Sequence, residues 1–223
     1  MRRVVLEETL TFLSAPLRVL KLPKHAERQD AGPMTTTNLF VELVVIGVGA
    51  AGWVAMTIGG LVGVEGVDPR WLESYPVLVA LLAVVYVLGI ISDRIADVVF
   101  ASLFTASLRK RHFVDKADFQ RARRAVLQQL PVVAEAQHYG RTRLRICRGW
   151  AINSALMAAS FNWLMVRQFG SSPWLREAVI AGSALFLTLS VASWWAWRGL
   201  CATEYAKTRE YAEHLAVDSH PPA

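Results

Sequence analysis

Apolar residues in this chain fall in long blocks separated by charged stretches. The block lengths predict an all-α, polytopic membrane protein. Four windows approach the roughly 20 residues that a helix needs to span a bilayer. They are Leu39–Val64, Pro76–Leu108, Trp150–Val166 and Trp174–Trp197. The second carries a feature that a simple anchor does not need. PVLVALLAVVYVLGII runs from Pro76 to Ile91, then Ser92, Asp93, Arg94 and Asp97 interrupt it, and VVFASLFTASL continues to Leu108. Charge in or beside a membrane helix is costly, so each charged residue here is a functional candidate. Sixteen residues at 1.5 Å each reach about 24 Å, short of the roughly 30 Å hydrocarbon core. With Trp71 and Tyr75 at the outer interface, Asp93, Arg94 and Asp97 fall at the inner edge. The run to Leu108 then projects below the membrane, still apolar on one side, and needs protein to pack against.

The remaining pattern completes five segments: 1–38, 39–108, 109–148, 149–200 and 201–223. In the first, Leu6, Leu10, Leu13, Leu17 and Leu20 repeat at helical spacing beside Arg2, Arg3, Arg18, Lys21 and Lys24. That predicts an amphipathic segment, followed by a linker to Asn38. The first hairpin covers 39–108, and its first span is rich in glycine and alanine. Gly59 and Gly63 form a GxxxG pair, a candidate for close helix packing within the chain or between copies. Glu42 is expected at the headgroups. Segment 109–148 is a basic helical arm. In it Asp115 or Asp118 caps a helix to Leu130, with Phe119, Ala122, Val126 and Leu130 on one face and Arg121 and Arg124 on others. Pro131 starts the next helix, as proline can at a first position, and that helix runs on into the third span. The second hairpin covers 149–200, and a C-terminal helix and tail cover 201–223.

Composition agrees. Apolar residues make up 54% of the 223, and the mean hydropathy is positive. The net charge of +6 reports orientation before it reports partners. Of 24 Lys and Arg, 21 lie in 1–38, 93–148 and 198–223, which puts those segments on the cytosolic side. The expectation is a multi-pass protein of a bacterial inner membrane with both termini cytoplasmic. Cys147 and Cys201 have no metal-ligand spacing and read as plain thiols.

Three groups of residues are candidates for function. Asp93, Arg94 and Asp97 with Asn153 could line a pore mouth or gate. A local Arg94–Asp97 pair and a pair between these acids and an arginine of the third span's lower half are the structural alternatives. Arg141, Arg145 and Arg148 follow i, i+4, i+7 in RTRLRICR and form a basic ridge. With Arg121 and Arg124 it suits anionic lipid headgroups or an anionic ligand such as a nucleotide. Nucleic acid is not expected, because only Phe113, Phe119 and Tyr139 are near for base stacking. Asn153 and Ser160 share a face of the third span, where amides usually bond across helices.

No catalytic, metal or cofactor motif stands out. GVGAAG at 47–52 lies mid-span with no strand before it and is not a dinucleotide fingerprint. Arg209 and His214 in REYAEH resemble the R-x4-H motif of HEPN ribonucleases. Glu210 stands where that family commonly has a polar amide. Paired spans with long cytosolic helices resemble the membrane effectors of prokaryotic defence systems. That resemblance implies an oligomeric, pore-forming protein that senses a cytosolic signal. The leading expectation is therefore a homo-oligomeric inner-membrane protein, not an enzyme, that couples a cytosolic protein or anionic nucleotide signal to the bilayer. A non-conducting scaffold that recruits a cytosolic enzyme and a membrane-tethered ribonuclease are the alternatives.

Overall fold

The computed structural model describes residues 35–63, 70, 74–129 and 131–218. The amphipathic segment before Thr35, most of the first outer turn with Trp71, the side chains of Val133, Ala136 and Tyr139, and the last residues lie outside that description. The described chain is helical throughout: α1 (Thr35–Val62), α2 (Tyr75–Phe100), a π-helical turn (Ala101–Thr105), α3 (Ala106–Arg109), α4 (Lys116–Gln129), α5 (Pro131–Phe169) and α6 (Leu175–Asp218).

Local chemistry explains the boundaries. α1 ends at Gly63, whose φ of +95° suits glycine and whose N–H donates to Gly59 O at 3.0 Å, a left-handed C-terminal cap. Pro76 sits in the first turn of α2. The π turn is stitched by Thr105 Oγ1, which donates to Phe100 O five residues back at 3.0 Å. Asp115 Oδ1 accepts from the Asp118 N–H at 2.6 Å and caps α4. α5 and α6 run unbroken for 39 and 44 residues. At about 1.5 Å per residue each is roughly 60 Å long, about twice a bilayer's hydrocarbon thickness.

Three helices are long and apolar enough to cross a membrane: Leu39–Val62, Tyr75–Arg109 and Leu175–Leu215. Their outer faces expose Leu61, Val79, Leu185, Val191 and Trp195, each more than half accessible. Apolar surface on this scale is not compatible with water as the only solvent. These features mark a multi-pass membrane protein. The sequence pattern led us to expect four spans, and the third window is not among the three. Asn153, Ser154, Ser160 and Asn162 lower its hydropathy.

α5 is the central element. It packs against α1 on one side and α6 on the other, and touches α2. Successive α1–α5 contacts pair Ile46 with Gly149, Gly49 with Asn153, Gly52 with Met157 and Gly60 with Trp163, so the two helices run parallel. α1 and α2 are antiparallel and meet most closely at two glycines. A Cβ on Gly47 would fall onto Val85 O, and one on Gly89 onto Leu43 O. Phe40 stacks on Tyr86 nearby, at 5.2 Å between ring centroids. α5 and α6 are antiparallel, with Ser183 Oγ donating to Asn162 Oδ1 at 2.9 Å and Ser190 Oγ to Ala151 O at 2.7 Å.

The end of α2, the π turn and α3 find their packing partner in α6, against which α4 also packs. Phe100, Leu108, Phe113, Trp197 and Tyr205 are buried together, with Phe104, Phe119, Ala122, Leu144 and Cys147 around them. Phe100 meets Trp197 edge-on at 4.6 Å, and Phe119 meets Phe113 and Tyr205 at 5.2 Å each. α4 buries Val126 and directs Arg121 and Arg124 outward, as an amphipathic helix on a protein surface does.

Candidate functional site: an ionic cluster joining three helices

Five charged side chains from three helices meet where the apolar stretches give way to charge. Asp93 on α2 is the hub. Its Oδ2 accepts from Arg145 Nη2 at 2.8 Å, and its Oδ1 accepts from Arg145 Nε at 3.3 Å and Arg148 Nη2 at 3.0 Å. Arg148 Nη1 also donates to Asp97. Glu42 of α1 lies 2.9 Å from Arg145 Nε. Spacing explains the local geometry. Asp93 and Asp97 are at i, i+4 on α2, and Arg145 and Arg148 are at i, i+3 on α5, so each pair shares one face.

Burial differs sharply across the cluster. The Glu42 and Asp93 side chains are 1% and 4% exposed, those of Arg145 and Arg148 are 26% and 15%, and that of Asp97 is 54%. Its hydrogen bonds to the Asp93 carboxylate hold the Arg145 guanidinium above its ordinary range, so it stays charged. Three donor contacts serve Asp93, whereas Glu42 has the single ion pair with Arg145 and Thr142 beside it, and Arg148 Nε is buried without an acceptor.

Just above the cluster, Asn153 is fully buried. Its Nδ2 donates to Ile46 O at 2.9 Å, and its Oδ1 accepts from Ser92 Oγ at 2.8 Å, so one amide ties α1, α2 and α5 together. Two turns further along α5, Thr57 Oγ1 donates to Ser160 Oγ at 3.0 Å. Met157 lies between these two bonds against Gly52. Asn153 and Ser160 thus bond across helices, and the face they share is packed against α1.

The sequence-derived candidates are regrouped by this geometry. Asp93, Asp97, Arg145 and Arg148 come together, although the sequence assigned them to two sites. The alternative that pairs the acids with an arginine below the third span is the arrangement present. The Arg94–Asp97 pair is absent: Arg94 is exposed and turned outward, and Asp97 binds Arg148. Arg145 and Arg148 do not stand on an open ridge, because α5 presents that face to α1 and α2. Arg141 is half-buried on the same helix. Arg121 and Arg124 remain exposed on α4, Arg121 with a loose 3.9 Å approach to Asp118.

Gly59 O accepts from Gln168 Nε2 at 3.0 Å, and Gly63 lies beyond the helix end, so the two do not form a helix face. The close glycine contacts are at Gly47 and Gly89. Glu42, expected at the headgroups, is the most buried acid among the described residues. One signal pointed to it: it is the single charge in the 28 residues of α1. Arg209 pairs with Glu213 at 2.7 Å and leans toward His112 O. His214, five residues on, is about 140° round the helix.

The cluster can lock three helices in register and hold or release charge. Among the described residues no group of His, Cys, Asp and Glu could hold a metal ion. The carboxylates here are interleaved with guanidiniums. Cys147 on α5 packs against the aromatic cluster, and burial pushes its thiol up, away from nucleophilic use. Protein-family models, curated proteins and solved structures give no match to the chain.

Proposed function

We propose that the chain is a four-span inner-membrane protein that couples a cytosolic partner or anionic signal to the bilayer. In this reading α5 is the fourth span. It runs parallel to α1 and antiparallel to α6 at their depth, and Asn153, Ser160 and Asn162 are hydrogen-bonded to neighbouring helices. Satisfied polar groups cross lipid at much lower cost than free ones. The distribution of Lys and Arg sets both termini in the cytosol. The lower halves of α5 and α6, with α4, then form a cytosolic bundle, and the ionic cluster marks the inner edge of the membrane.

The observation that carries the coupling is continuity across that edge. α5 joins the cytosolic bundle to the spans without a break, and at the boundary its Arg145 and Arg148 hold α1 and α2. A partner that shifts the lower half of α5 loads both helices. Arg121 and Arg124 on the outer face of α4 are the receiving surface, open to an acidic protein or a phosphate-bearing signal. The resemblance to defence effectors extends this reading to a pore built by several copies.

A non-conducting scaffold is the second reading, and one observation favours it. Asn153, Met157 and Ser160 fill the contact between α1 and α5, so conduction would have to run between copies. The ribonuclease reading draws no support from the Arg209 geometry. Induced expression with a membrane-potential dye separates these readings. A coupling effector depolarises cells, and Arg121→Glu with Arg124→Glu abolishes the effect while membrane insertion is kept. Absence of depolarisation, with a partner retained on purification, gives the scaffold. Loss of the phenotype in His214→Ala would revive the nuclease.

A further inference from the structure

The outward face of α2 carries a second pattern. Ala83, Val87, Ile90, Arg94, Asp97 and Ala101 are all exposed and follow a spacing of 4, 3, 4, 3 and 4 residues. That spacing keeps them in one stripe, the seam pattern of paired helices. Val84, Ile91 and Val98 flank the stripe on one side and are exposed as well. The stripe is apolar except at one layer. Arg94 points away from its own chain and meets no acid among the described residues. Asp97 is held on one side by Arg148, yet 54% of its side chain stays exposed. The cluster behind it sets three carboxylates, those of Glu42, Asp93 and Asp97, against the two guanidiniums of Arg145 and Arg148. It is one cation short, and an exposed cation stands one turn away on the same helix.

Depth decides what covers this face. In the four-span reading, on which this inference rests, Ala83, Val87 and Ile90 lie above the charged layer at the level of the acyl chains. Val98 and Ala101 lie below it, and Val98 is 69% exposed. Lipid covers the upper part alone, and a soluble protein reaches the lower part alone. A headgroup phosphate would serve Arg94 and be repelled by Asp97 one turn on. An occupant of the whole face crosses the same boundary and brings both an acid and a base at that depth. We infer that this occupant is α2 of a second copy of the chain. Two copies share one orientation in the membrane, so their α2 helices run parallel about a two-fold axis along its normal. Arg94 of each copy then stands beside Asp97 of the other, about 4.5 Å away along the axis. Both pairs form at once, and each cluster gains the third cation that its own chain does not supply. The charged layer also fixes the register, as one polar layer does in a coiled coil. The second copy therefore completes the site, and a load that α5 places on α2 reaches the neighbouring copy.

The test is disulfide crosslinking of single cysteines in native membranes, with the full chain carrying Cys147→Ala and Cys201→Ala. Under mild oxidation Val87→Cys and Ala101→Cys should each give a covalent dimer. Val191→Cys, on the exposed face of α6, should not. Adding Arg94→Glu to Val87→Cys should abolish the dimer while insertion is kept, because it sets like charges across the axis. Asp97→Lys should abolish it for the same reason. Co-expression of the two charge variants under different tags should restore crosslinking in mixed dimers only, since each copy then meets its complement. A role confined to one copy does not produce that rescue. Absence of a dimer at Val87 and Ala101, an equal yield at Val191, or a dimer that survives Arg94→Glu overturns the proposal. So does failure of the mixed dimer when both variants insert. A monomer that loses bound anionic phospholipid in Arg94→Glu makes the headgroup layer the occupant and also overturns it. If Asp97→Lys does not insert, the effect of Arg94→Glu decides the matter, because residue 94 is exposed in its own copy. Crosslinking is scored apart from depolarisation, so the interface and the coupling stand or fall separately.

Discussion

Replacing Asp93 by Asn tests the hub of the cluster. The substitution keeps the volume and removes one charge from a side chain that accepts three hydrogen bonds from two arginines. Breaking a buried ion pair by removing one partner typically costs about 3–5 kcal/mol. Here each guanidinium keeps one carboxylate: Glu42 stays 2.9 Å from Arg145, and Asp97 stays on Arg148. The cost should therefore sit at the low end, about 3 kcal/mol, or roughly two orders of magnitude in the unfolding constant. Asp97→Asn removes a half-exposed charge from one arginine, and exposed pairs are worth about 0.2–1 kcal/mol. The assay is reversible unfolding of the purified chain in mixed micelles, followed by tryptophan fluorescence. A cost for Asp93→Asn no larger than that for Asp97→Asn would refute the hub. So would additivity of Asp93→Asn with Arg145→Gln, because residues in one network couple by about 0.5–3 kcal/mol.

Other expectations follow from contacts at named positions. Gly89→Val should force α1 and α2 apart, since even a Cβ meets Leu43 O, and should cost about 2–3 kcal/mol of overpacking; spin labels on the two helices would report the separation. Gly199→Ala is the contrasting case: a Cβ there meets nothing within 4 Å, and the thermal midpoint should rise with a gain of about 0.5–1 kcal/mol in helix stability. Asn153→Leu removes one bond to Ile46 and one to Ser92 and should cost about 1 kcal/mol in micelles. Trp197→Ala empties the aromatic junction of α2 and α6 and should cost about 3 kcal/mol, with loss of near-ultraviolet dichroism and of protease resistance in the α4 region.

Local chemistry made much of the fold legible before any tertiary structure. Proline at 131 and the absence of a break to Phe169 are read directly as one helix that leaves a polar environment and enters an apolar one. Asp115 and Asp118 both read as caps of the helical pattern that follows, and the structure uses Asp115, directly before Lys116. Apolar run lengths identify three helices able to cross a membrane. The third window, Trp150–Val166, fails on hydropathy because four polar residues lie in it. Their side chains are turned toward neighbouring helices, and a linear average does not register who receives them.

The sites were less legible, and the reason is geometric. Helical periodicity says which residues share a face, not which faces meet. The spacing of Arg145 and Arg148 is the same whether they face lipid headgroups, a soluble anion or the acids of another helix. Only the packing of α5 against α1 and α2 chose the third. Glycine spacing likewise singled out Gly59 and Gly63, while the backbone crossing selected Gly47 and Gly89. What the sequence determined by itself was set within single helices: their lengths, caps, apolar faces and the band of charge after Ile91. What the tertiary structure decided was the pairing between helices. It buried Glu42 and gathered five charges from separate segments into one site. Those energies belong to contacts between residues 52 to 107 positions apart, which no local pattern encodes.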